Sequence, residues 1–294
     1  MVRKSRRQGG PHQKRLVGKW LQFLSVAGGL GLIVFLFFPA DRSTTATGWW
    51  SVAQTVICIL ALAGTVVLLA FLLDRGERHL APSGAEVMRK DKRAPVLYLR
   101  PFEAETVLTV QERVLARIME SEVGPLVAVG NPGDRLPHLG AARFYERDFS
   151  GDGRNWQLFM REMLLRARLV LIAPGRTVGL AWEIAQCREV LAPQRLVVLM
   201  RGSPKAYSAF RDIAAQAGLM LPQISTSDFG WSAESDVVGL ITFGSDWSAN
   251  LAAFPPQSLL EDNSVEEQER RLRRALAPTM RAEWGRDDKA LDRF

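Results

Sequence analysis

Two uncharged apolar segments near the N-terminus, Trp20–Pro39 and Trp49–Leu73, constrain this chain more than any other feature. Each reaches the roughly 20 residues that a helix needs to cross a bilayer. Gln22 and Gln54 are their strongly polar side chains. A charge at mid-membrane would cost about 2.5–3.5 kcal/mol on insertion scales, and neither segment carries one. The loop between them, Ala40–Gly48, is short and polar. Trp20, Trp49 and Trp50 stand at segment ends, where indole rings favour the headgroup layer. The pattern predicts a transmembrane hairpin.

Basic residues set its orientation. Arg3, Lys4, Arg6, Arg7, Lys14, Arg15 and Lys19 precede the first segment with no acidic residue among them. Arg75, Arg78, Arg89, Lys90, Lys92 and Arg93 follow the second, whereas the loop has Arg42 beside Asp41. Positive flanks belong in the cytoplasm, so the chain is expected to be multi-pass in the cell (inner) membrane with both termini cytoplasmic. A cleaved signal peptide is the competing reading of the first segment. Its long apolar run and the lack of an Ala-x-Ala site argue against that. No ionisable group lies in either span, which argues against an ion or proton path. The Ala27–Gly31 run favours close helix packing and hence an anchor that assists homo-oligomerisation.

The net charge of +7 equals the charge of the N-terminal arm, so the remainder is balanced. A nucleic-acid-binding domain carries a basic excess of its own, and nucleic acid is therefore not an expected partner. The arm suits a topology signal that also touches anionic lipid. Cys58 and Cys187 build no disulfide framework, and His12, His79 and His138 are scattered. No zinc spacing occurs, and neither a metal nor a cofactor is expected.

The chain is expected to divide into a basic arm (1–19), the hairpin (20–39 and 49–73), a charged linker (74–94), an α/β domain (95–254) and a polar tail (255–294), helical or disordered. In the α/β domain strands alternate with helices. Strands are read at Val96–Leu99, Leu126–Val129, Ala142–Tyr145, Leu169–Ala173, Leu196–Met200 and Gly239–Phe243. Helical periodicity covers Thr109–Glu122, Trp156–Arg166, Leu180–Leu191 and Tyr207–Ala217. The alternation predicts a parallel sheet of about five strands with helices on both faces. Short, continuously apolar strands fit a sheet covered on both sides. In the tail, Val265–Leu276 reads as a solvated helix.

Ligands of such sheets bind beyond the carboxyl ends of the strands. Arg100, Glu103 and Glu105 follow the first strand, the Gly130–Asp134 turn the second, and Arg147 and Asp148 the third. Gly175, Arg176, Thr177, Trp182 and Glu183 follow the fourth. Glu183 is expected in the first helical turn, where the helix dipole stabilises a carboxylate by about 0.3–1 kcal/mol. An ionised carboxylate there suits a nucleophile or an electrostatic partner to the positive charge that builds on a sugar as an N-glycosidic bond breaks. A plain stabilising role in the helix is the competing reading. Arg100 is a candidate phosphate clamp, Asp134 sits in a candidate phosphate-cradling turn, Trp156 is a candidate base-stacking residue, Arg176 and Trp182 are candidate ligand contacts, and a core role is the competing reading for both tryptophans. Neither a GxGxxG nor a Walker sequence is present.

The order VLYLRPFE, LVAVGNPGD, ARFYERD, RLVLIAPGRTVGLAWEIAQC, RLVVLM resembles the Toll/interleukin-1 receptor (TIR)-like superfamily and the related nucleoside deoxyribosyltransferase-like group, over roughly Pro95–Met200. The resemblance implies a flavodoxin-like sheet and a glutamate, after the fourth strand, that serves cleavage of an N-glycosidic bond in NAD or a nucleoside. Position by position it carries that role to Glu183. Gln186 stands four residues past Trp182, where TIR domains carry the glutamate, so Gly179–Ile184 sits closer to the deoxyribosyltransferase pattern. That pattern has an upstream Asp, which Pro174–Val178 lacks. The expectation is a membrane-anchored domain that cleaves an N-glycosidic bond of NAD or a related nucleotide. The alternative is a non-catalytic nucleotide sensor or signalling scaffold of the same fold.

Overall fold

The computed structural model describes residues 14–37, 49–101, 110–130, 140–145, 156–201, 203–224, 237–254 and 265–284. The chain divides into two compact units, the first ending at Ala81 and the second beginning at Pro82.

The first unit is a helical pair, α1 (Arg15–Phe37) and α2 (Trp49–Leu80). Small residues set their separation. A Cβ on Gly18 would lie 3.0 Å from the Gly76 carbonyl oxygen, and one on Gly76 would lie 3.1 Å from that of Gly18. Such positions let helix backbones approach in an apolar setting. Further along, the Ser25 hydroxyl donates to the Leu69 carbonyl at 3.1 Å, which satisfies a polar group between the helices. Among the described residues one stretch, Ile59–Leu80, is long and apolar enough to cross a membrane, where two spans were expected, and almost none of it is buried inside the protein. Trp20, Phe23, Leu24, Val67 and Phe71 are exposed apolar side chains of the pair. The expected linker at 74–94 is corrected, because α2 runs on to Leu80 and α3 (Gly84–Lys90) follows, its N-cap Ser83 accepting from the Glu86 N–H.

The second unit is built on a seven-stranded sheet in the order β3–β2–β1–β4–β5–β6–β7. The strands are β1 (Val96–Leu99), β2 (Leu126–Val129), β3 (Ala142–Phe144), β4 (Leu169–Ile172), β5 (Leu196–Arg201), β6 (Val237–Phe243) and β7 (Ala249–Ala253). The first five pair in parallel, with Leu97 beside Val127 and Val170. The all-parallel expectation is corrected at one edge, where β6 runs antiparallel to β5 and β7 antiparallel to β6. A five-residue turn, Gly244–Ser248, joins the last two strands, and Trp247 within it takes φ +66°. Residues of β7 are mostly exposed, and its Ala-Asn-Leu-Ala-Ala sequence lacks the β-branched and aromatic residues that mark a strand.

Alternation along the strands splits the core in two. On one face Leu97, Leu99, Val170, Ile172 and Val198 pack against α5 (Trp156–Arg166), α6 (Val178–Val190) and α7 (Pro204–Gln216). On the other, Val96, Tyr98, Leu171, Val197 and Leu199 pack against α4 (Val110–Glu122) and α8 (Val265–Trp284). The tail helix expected to be solvated therefore belongs to the fold, since Leu272 and Leu276 of α8 are buried. Arg273 adds ion pairs to Glu122 on α4 and, at 2.8 Å, to Glu269 on its own helix. Polar residues dominate this helix, but a one-sided apolar stripe is enough to dock it.

Candidate functional site

The strand order reverses beside β1. From β1 the chain winds outward through β2 and β3, then returns to the other side of β1 at β4. Ligands of α/β sheets occupy the crevice beyond the carboxyl ends of strands at such a reversal. Here it lies where β1 gives way to Arg100 and Pro101, and where β4 gives way to the 173–177 loop and α6.

Glycines bring the loops of this edge together. A Cβ on Gly175 would lie 2.5–2.9 Å from three atoms of the Pro101 ring, so the loop after β4 rests directly on the one after β1. A Cβ on Gly130 would lie 2.5 Å from the Tyr145 ring, which sits just past β3. The proline and tyrosine rings leave little room to yield, so these contacts fix the loops.

Thr177 caps α6, its hydroxyl accepting the Leu180 N–H at 3.2 Å. The helix consequently starts at Val178, earlier than expected, and Glu183 falls in its second turn rather than its first. The dipole effect fades within one turn. Burial dominates instead and pushes the Glu183 carboxyl up to about 8. Removal from water disfavours the charged form, against the permanent carboxylate expected from the sequence. The shift favours the protonated form of a side chain that keeps part of its surface exposed. One helical turn on, Cys187 is fully buried, and burial together with Glu183 raises its thiol well above the usual range. It is an inert core residue, not a nucleophile.

Trp156 opens α5 and Trp182 lies in the first half of α6, and their rings meet edge to face with centroids 4.8 Å apart. Trp182 also packs on the core, while Trp156 keeps 38% of its surface exposed. The two tryptophans thus contact each other, and Glu183 follows Trp182 in sequence. Arg100 is buried, with its guanidinium 5.9 Å from the centre of the Tyr98 ring. Arg176 lies exposed in the loop before α6. Asp134, and likewise Glu103, Glu105, Arg147 and Asp148, lie outside the described residues. Among the described residues, no cluster of three or more His, Cys, Asp or Glu could hold a metal ion.

Two residues that the sequence did not single out belong to this edge. Arg201 closes β5, and its Nη1 donates to the Tyr98 hydroxyl at 3.4 Å. The signal for Arg201 was its place directly after the LVVLM run; nothing in the sequence marked Tyr98 apart from the rest of the buried strand. Comparison with protein-family models, with curated proteins and with solved structures finds no match to this chain.

Proposed function

We propose that this is a membrane-anchored protein whose α/β domain is TIR-like or deoxyribosyltransferase-like and cleaves the N-glycosidic bond of NAD or a related nucleotide. The observation that carries the reading is Glu183, a carboxyl raised by burial that follows Trp182 of the tryptophan pair in the helix that leaves the sheet's reversal point. Strand order supports it: without the edge strand β3, the sequence β2–β1–β4–β5–β6 repeats the flavodoxin-like order 2-1-3-4-5, with the last strand reversed.

In this reading the exposed edge of Trp156 stacks on the base. Glu183 donates its proton to the leaving ring nitrogen as the bond from that nitrogen to the sugar C1′ breaks. Water then adds to C1′ and returns a proton to Glu183, leaving free base and sugar hydroxyl. A donor poised near 8 matches the task, because general acids work best when their pKa lies near the working pH. The cationic nicotinamide of NAD leaves without needing a proton, so the protonated state favours a purine or pyrimidine nucleotide over NAD. The apolar helical pair would cross the membrane twice, with both termini in the cytoplasm, and would favour assembly of several copies.

A non-catalytic nucleotide sensor is the second reading. It is favoured by the lack of any carboxylate in Pro174–Val178 to support Glu183. Full-length protein in detergent, incubated with NAD and a nucleotide mixture and read by mass spectrometry, tests the choice. Release of free base that Glu183→Gln abolishes supports the enzyme. Binding without release supports the sensor.

A further inference from the structure

The two edges of the sheet are finished differently. At β3 the chain leading into α3 lies against the edge, where Ser83 bridges Arg143 in parallel. At β7 no described segment does so. The direction of its backbone groups follows from two hydrogen bonds that bracket the strand. The Gly244 N–H donates to the Ser248 carbonyl at 2.8 Å, and the Phe254 N–H donates to the Val238 carbonyl at 2.9 Å. Successive residues of an antiparallel strand turn their polar groups to opposite sides. Asn250 and Ala252 therefore face β6, while the N–H and C=O groups of Ala249, Leu251 and Ala253 point away from it and have no hydrogen-bond partner among the described residues. The strand is exposed from Asn250 to Ala253, and Leu251 keeps 41% of its surface in solvent.

An open edge is a template for a further strand, and proteins commonly blunt it with charge or proline. The sequence of β7, Ala-Asn-Leu-Ala-Ala, carries neither. Its outward residues are spaced evenly about Leu251, so a two-fold axis beside Leu251 makes the edge complementary to itself. The two strands then run antiparallel, with Leu251 opposite the partner's Leu251 and Ala249 opposite the partner's Ala253, and every outward N–H and C=O group of both copies finds a partner. Alanines flank the leucine on its own face, which leaves room for its counterpart, and no like charges meet. We propose that β7 is a pairing edge for a second copy of this chain, joining two seven-stranded sheets into one continuous sheet. A strand of five residues falls well short of the roughly 20–30 residues a side of a stable free-standing interface, so the pairing needs copies already held close. Copies anchored in one membrane meet that condition, and in this the inference rests on the membrane reading above and deepens it.

The test is oxidative cross-linking of the full-length protein in lipid vesicles, with single cysteines placed along β7 in a Cys58→Ser background; Cys187 is buried. Leu251→Cys should cross-link to itself at least tenfold faster than Ala249→Cys or Ala253→Cys alone, whose equivalent positions lie roughly 14 Å apart across the two-fold axis, beyond disulfide reach. Mixing Ala249→Cys with Ala253→Cys should restore the cross-link. Ala253→Pro removes an outward N–H and leaves the bonds to β6 intact, so it should abolish the Leu251→Cys cross-link. Should the proline variant fail to fold, the mixed pair decides. Equal rates at the three positions, or no Leu251→Cys cross-link in protein that floats with the vesicles, would overturn the pairing and leave the anchor standing. Protein that does not float, yet gives the same register-specific cross-links when concentrated, would reject the anchor and keep the pairing.

Discussion

Trp156 and Trp182 meet edge to face with ring centroids 4.8 Å apart, one at the start of α5 and the other beside Glu183 in α6. The contact joins two residues that lie 26 positions apart in the sequence. Aromatic pairs in this geometry contribute about 0.5–1.5 kcal/mol beyond area burial. A double-mutant cycle with Trp156→Ala and Trp182→Ala, read by chemical denaturation, should give a coupling in that range. Additive effects would mean that the pair does not stabilise the site.

Glu183 makes stability depend on pH. Its folded value of about 8 lies above the ordinary 4.5, so the native state holds a proton that the unfolded chain has released between those values. Stability from this group is full below about pH 4.5 and falls as pH rises toward 8, by up to a few kcal/mol. Glu183→Gln keeps the size and removes the charge. The variant should therefore be more stable than wild type at pH 9, with the difference shrinking toward pH 5. Thermal melts across this range check it, and a wild type that gains on the variant with rising pH would contradict the buried, protonated carboxyl.

Gly175→Ala places a methyl 2.5–2.9 Å from the Pro101 ring. The loops after β1 and β4 must then separate. Overpacking of this kind costs about 1–3 kcal/mol. Nucleotide binding should weaken more than the loss of stability alone explains, which thermal shift with and without nucleotide would show. Unchanged melting and binding would mean that the loops part without consequence.

Leu276 on α8 is fully buried against α4 and the sheet. Leu276→Ala should cost about 2–5 kcal/mol, the usual range for a core leucine. Leu272→Ala should act in the same direction. A variant that unfolds at the wild-type denaturant concentration would return α8 to the status of a solvated appendage.

Legibility varied with how local the signal was. The apolar runs VLYL, LVAV, LVLI and LVVLM marked buried strands, because a sheet covered on both faces needs no alternation. The boundaries of α5 coincide with Trp156–Arg166, where four core residues fall at helical spacing. Strand β7 escaped because its alanines and asparagine pair through the backbone and bury little. The role of α8 escaped because two buried leucines among arginines and glutamates leave only a narrow stripe. At the site, the position of Glu183 beyond β4 was legible, but its protonation was not. Moving the cap from Gly179 or thereabouts to Thr177 shifts it by less than a turn, yet that takes it from the dipole's reach into a setting where burial decides. Arg201 was out of reach because its meeting with Tyr98 depends on two strands placed either side of β4.

The central claim is that Glu183 delivers a proton to a leaving base. The direct measurement is the pH–rate profile of base release from AMP by the full-length protein in detergent, beside Glu183→Gln. The account predicts a rate that falls above about pH 8, where the donor loses its proton, and loss of turnover in the variant. Release that continues at the wild-type rate in Glu183→Gln, or that rises through pH 8, would contradict it.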